Sequence, residues 1–109
     1  MRDGLYKVIF RSSGALASGV TYVAGSRLWG GGAYFFLNGT CDSRADRLEI
    51  RLKLRCEDVD PQSAPFPTGC ETSYVLRGEW DSVSSKLTAE GAEGDPSAAL
   101  TMTMLFLTD

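Results

Sequence analysis

The run Asp46–Cys56, DRLEIRLKLRC, sets Leu48, Ile50, Leu52, Leu54 and Cys56 on one parity and Arg47, Glu49, Arg51, Lys53 and Arg55 on the other. A side-chain period of two belongs to a pleated strand and not to a helix. One face of this strand is therefore buried and the other solvated. A large aliphatic side chain contributes about 1.5–3 kcal/mol when fully buried, so the four aliphatics anchor a core. A slip of one residue would bury the five charges, which fixes the register. This run is the expected central strand.

Short alternating runs separated by turn residues lie on either side of it, and no amphipathic helix of ten or more residues is evident. Leu5–Arg11 reads as a first strand with Tyr6, Val8 and Phe10 on one parity. Ala15–Ala24 is a second, with Val20 and Tyr22 opposed to Gly19, Thr21 and Val23. Gly25-Ser26 between them and the next run is a tight hairpin signal. Arg27–Gly30 begins a third strand, and Gly30-Gly31-Gly32 marks a corner into a fourth, Ala33–Cys41. Asn38-Gly39 inside that fourth run reads as a bulge, and Asp42–Ala45 as a polar turn. Glu57–Gly69 holds Pro61, Pro65 and Pro67, which cannot donate to a ladder, and reads as an exposed crossing loop. Glu71–Trp80, Val83–Glu90 and Ala98–Thr108 complete the set, joined by Asp81-Ser82 and the loop Gly91–Ser97. On the last strand Leu105 and Leu107 make the outer side apolar, so something is expected to cover that end.

Eight short strands joined mostly by tight turns imply an antiparallel meander. Closure removes the two unpaired edges that an open sheet would leave. The expected fold is a single all-β domain over residues 1–109, an eight-stranded antiparallel up-and-down barrel of the lipocalin or calycin kind. Side chains can fill such a lumen, or it can hold one small ligand. Tyr6, Phe10, Tyr22, Trp29, Tyr34, Phe36, Tyr74, Trp80 and Phe106 are the aromatics expected to plug or line it. The G-x-W of lipocalins is missing near the first strand.

The absence of histidine takes away the commonest general base and the commonest metal ligand at once. Cys41, Cys56 and Cys70 are odd in number and dispersed, which signals neither a disulfide framework nor a zinc knuckle. No catalytic residue, cofactor or metal is therefore expected. A net charge of −3 argues against nucleic acid as a direct partner. The opening MRDGLYKVIF has no signal-length apolar stretch and no later run spans a membrane, so a soluble, cytoplasmic, membrane-free protein is the expectation.

Several short patterns have a structural reading beside a chemical one. The triple glycine lacks the helix and Lys-Ser/Thr of a phosphate loop and reads as a bend. Glu90, Glu93 and Asp95 lack calcium-loop spacing and read as a polar hairpin. Ser85 and Lys86 are strand neighbours that point to opposite faces. The outward stripe Arg47, Arg51, Lys53 and Arg55 can dock an acidic partner or phosphates, or can be a solvated face laced by cross-strand ion pairs.

The opening Asp3–Phe10, DGLYKVIF, followed by a short Gly-containing hairpin and by Gly31–Gly39, GGAYFFLNG, resembles the GrlR family. These are small bacterial proteins named for a negative regulator of type III secretion genes. The resemblance implies a small lipocalin-like barrel that forms a homodimer. It also implies a non-enzymatic role, the binding and sequestration of a partner protein such as a transcriptional activator. The family's acid after the paired glycines is Ala33 here, and its run of four acids before the long strand is replaced by Ser43-Arg44-Ala45-Asp46. The expected partner surface is accordingly Arg44, Asp46, Arg47, Arg51, Lys53 and Arg55. The alternative function is a carrier of a small apolar ligand in the lumen.

Overall fold

A computed structural model of the chain describes residues 2–12, 15–33, 35–44, 47–56, 71–82, 84–91 and 100–109. It contains eight strands, β1 (Gly4–Ser12), β2 (Ala15–Ala24), β3 (Arg27–Gly31), β4 (Phe35–Arg44), β5 (Arg47–Cys56), β6 (Glu71–Asp81), β7 (Lys86–Gly91) and β8 (Leu100–Thr108). Each pairs antiparallel with its sequence neighbour, and β1 pairs with β8, so the sheet closes into an up-and-down barrel. Closure leaves no open edge. The β1–β8 ladder carries one register shift, between Leu5 and Tyr6.

The alternation in β5 is realised as expected. Leu48, Ile50, Leu52 and Leu54 are buried, whereas Arg47, Arg51, Lys53 and Arg55 face solvent. Around them the lumen is filled by one cluster fed from all eight strands, including Tyr6, Phe10, Leu28, Leu37, Tyr74 and Met104. Edge-to-face contacts tie its aromatics together: Phe10 meets Phe35 at 5.7 Å between centroids, and Tyr6 meets Phe106 at 5.3 Å. Such pairs add to the area they bury. Thr21, fully buried, donates its hydroxyl to the Trp29 carbonyl at 3.2 Å. That bond satisfies a polar group inside the lumen and links β2 to β3.

Turn chemistry decides the shape of the β2–β3 hairpin. Ala24 opposes Arg27, so Gly25-Ser26 is the two-residue loop, with Gly25 at φ +61°. Asp3 caps it by accepting the Gly25 N–H at 2.9 Å. The corner after β3 also forms as expected: a Cβ on Gly31 would collide with the Phe35 carbonyl oxygen, and the Gly32 N–H donates to that oxygen at 2.9 Å.

Four expectations are corrected. Asn38-Gly39 is no bulge, because β4 keeps unbroken register with β3 and with β5 on either side of it. Gly39 is instead a place of close approach, where a Cβ would run into the Arg51 carbonyl oxygen. The segment Asp42–Arg44 is strand rather than turn, extending the hairpin until Arg44 opposes Arg47. β7 begins at Lys86, not Val83, because Ser85 takes a left-handed φ of 54° and belongs to the turn that follows Asp81. Ser84 donates its N–H to Asp81 in that turn. Finally, Tyr22, Trp29 and Phe36 point outward; Val23, Leu28 and Phe35 take the lumen side of their strands. The Glu57–Gly69 loop, Tyr34 and nearly all of the Gly91–Ser97 loop lie outside the described residues.

Candidate functional site

The barrel wall is chemically uneven. Eight of the eleven Lys and Arg residues fall on β1–β5, where the acids are Asp42 and Glu49. Strands β6–β8 reverse the balance, with Arg77 and Lys86 against Glu71, Glu79, Asp81 and Glu90. A net charge of −3 thus conceals a basic wall on one side of the molecule. Large apolar side chains are also exposed: Leu16, Val20, Tyr22, Trp29 and Phe36 on β2–β4, and Leu107 on β8.

Register shows how these groups adjoin. Tyr22 opposes Trp29, and their rings lie 5.4 Å apart at a tilt of 41°. Trp29 opposes Asn38, which opposes Lys53, which opposes Ser73. One row further along, Arg27 opposes Thr40, Arg51 and then Val75. Gly31 opposes Phe36, and Phe36 opposes Arg55. Between the two rows lies a groove of about 440 Å³, bordered by Arg27, Arg51 and Lys53 over a polar bed of Asn38, Thr40 and Ser73. Those bed residues are short, so the long cationic side chains stand above them.

The predicted stripe is split by this geometry. Arg51 and Lys53 share the groove, whereas Arg47 lines a separate depression among Arg77, Glu79, Asp81, Lys86 and Glu90. Arg55 sits opposite Phe36 on one side and Glu71 on the other, and it is not free of interactions. Arg44 ends β4, and Asp46 lies outside the described residues. Glu49, the acid of the stripe, is engaged on both oxygens: Arg51 reaches Oε1 at 3.1 Å, and Arg77 reaches Oε2 across the β5–β6 ladder at 3.3 Å. The arginines are about two-thirds exposed, so these pairs stabilise little, about 0–1 kcal/mol each. Arg27 and Lys53 have no ion-pair partner among the described residues.

Arg27, Trp29 and Tyr22 are the members that the sequence reading missed. The signal was the two-residue turn at Gly25-Ser26, which by itself sets Ala24 against Arg27 and Tyr22 against Trp29.

Two titratable groups inside the wall are shifted away from their charged forms. Burial pushes the Cys41 thiol above its ordinary value, leaving less thiolate at neutral pH. Burial likewise raises Tyr6, against the opposing charge of Arg2, and its hydroxyl donates to the Arg2 carbonyl. Cys41 packs against the core, while the side chains of Cys56 and Cys70 lie outside the described set. Among the described residues no three His, Cys, Asp or Glu side chains gather as a metal site. No helix among the described residues is long and apolar enough to cross a membrane. No known protein family matches the chain, and no curated protein does either.

Proposed function

We propose that this protein is a non-enzymatic regulatory binding protein of the GrlR type, which sequesters a partner protein such as a transcriptional activator on the outside of its barrel. The observation that carries this reading is the division of apolar residues. The lumen is occupied by packed side chains, while six large apolar residues among those described remain exposed on the wall. Exposed apolar residues that cluster mark contact surfaces more often than chance placement. A membrane barrel inverts the arrangement, with a polar lumen and an apolar lipid-facing band. Charged Lys7, Arg11 and Arg51 on this outer wall therefore favour an aqueous setting, which this reading takes to be the cytoplasm.

The protein acts as a homodimer in this reading. The support is the outer side of β8 and β1, where Leu107 is half exposed beside Leu5 and nothing among the described residues covers it. Native mass spectrometry and sedimentation test both parts. The expected species is a dimer at the mass of two bare chains, and Leu107→Glu shifts it to monomer without unfolding. Capture from the source cells should return a stoichiometric regulator. A small apolar molecule bound in the lumen, with no protein captured, would replace this reading by the carrier.

A further inference from the structure

We propose that the groove among Arg27, Arg51 and Lys53, together with the adjoining shelf of Tyr22, Trp29 and Phe36, docks an acidic polypeptide segment that also carries large apolar side chains. The inference rests on the protein-binding reading above and names the chemistry of the partner.

Three features specify that occupant. The first is charge. Neighbouring strands lie about 4.8 Å apart and alternate residues about 6.6 Å along a strand, which sets the backbone sites of the three cations roughly 7 to 12 Å apart. Arg51 lies within one screening length of Lys53, about 8 Å at physiological salt, and just beyond one from Arg27, so the three fields overlap most strongly at low salt. Two of the three, Arg27 and Lys53, have no carboxylate partner among the described residues. The second is the bed: the side chains of Asn38, Thr40 and Ser73 offer donors to a carboxylate seated between the cations. The third is the shelf, where Tyr22 and Trp29 pack on each other and Phe36 is 60% exposed. Aromatic anchors beside arginine are the composition of binding hot spots.

The same observations disfavour the other occupants. Single-stranded nucleic acid stacks its bases on free aromatic faces, and here Tyr22 and Trp29 already cover part of each other. A second copy docked by a two-fold axis on this groove would bring Arg27 and Lys53 against their own counterparts, a like-charge contact.

The test uses fluorescence anisotropy with the whole protein and a short labelled peptide alternating Glu with Leu and Trp. Its Gln counterpart and oligo(dT) serve as competitors. The expected result is saturable binding that weakens between about 50 and 200 mM salt. The Gln peptide and oligo(dT) should compete poorly. Arg27→Glu with Lys53→Glu should weaken binding by about tenfold at an unchanged melting temperature, with the Gln pair intermediate. Trp29→Ala should weaken it independently. Wild-type affinity in the charge-reversed protein would overturn the proposal, as would displacement of the peptide by oligo(dT) or loss of binding when the protein dimerises. Retention of the native partner by the charge-reversed protein would overturn the groove while leaving the regulatory reading intact. Peptide binding that depends on Arg27 and Lys53 supports the groove even if no regulator is captured, an outcome that overturns only the regulatory reading.

Discussion

Ile50→Ala is expected to lower the unfolding free energy by about 2–5 kcal/mol, the range for truncating a buried aliphatic to alanine. Arg51→Ala, one residue on, should change it by no more than about 1 kcal/mol. Ile50 is fully buried beside Leu76 and Cys41 in the ladder, whereas Arg51 is about two-thirds exposed and loses only its pair with Glu49. In a domain of this size each kcal/mol moves the melting temperature by roughly 4–8 °C. Thermal melts followed by circular dichroism therefore separate the two variants widely. Similar losses at both positions would mean that β5 does not present one parity to the lumen.

A second large effect is expected at Gly78, for a reason unrelated to side-chain burial. Gly78 opposes Ala89 in the β6–β7 ladder. A Cβ built there would fall 2.6 Å from the Ala89 Cα and 2.7 Å from its Cβ, and against the Thr88 carbonyl oxygen. Backbone atoms cannot rotate away as a flexible side chain can, so the strands must part. Gly78→Ala should cost about 1–3 kcal/mol or more, and Gly78→Asn at least as much. Gly25 provides the contrast, since a Cβ there meets nothing within 4 Å and only its φ of +61° demands glycine. Asparagine tolerates that conformation, so Gly25→Asn should be close to neutral by urea unfolding. Equal costs for the two asparagine substitutions would refute the close approach at Gly78.

How much was legible in the sequence depended on whether a strand carried its own reference. β5 did, because charge alternates strictly with aliphatics, and the eight-strand closure followed from it and the turn signals. β2–β4 did not. Val20 and Tyr22 are as apolar as Thr21 and Val23, so size alone suggested that the aromatics turn inward. Thr21 occupies the lumen, where its hydroxyl is satisfied by the Trp29 carbonyl across the β2–β3 hairpin, a partner that apolar patterning alone does not show. Asn38-Gly39 looks like a bulge locally, yet two flanking ladders hold it in register. The basic side of the candidate site was visible in Arg51 and Lys53. For its other half, the turn at Gly25-Ser26 already set Tyr22 against Trp29, but bringing Arg27 beside Arg51 needed the pairing of β3 with β4 and of β4 with β5, and net charge hid the asymmetry altogether.

The two tryptophans offer the most direct test of an occupied lumen and a working outer wall. Trp29 is 44% exposed on the outside, while Trp80 packs against the core with its ring 6.0 Å from Tyr6. Their indole N–H groups give two separate nuclear magnetic resonance signals. Added in turn, the acidic Leu/Trp-bearing peptide should move the Trp29 signal and leave Trp80 in place, and palmitate should move neither. A shift of Trp80 and of the Met102 and Met104 methyl groups on adding palmitate, with Trp29 indifferent to the peptide, would contradict the account.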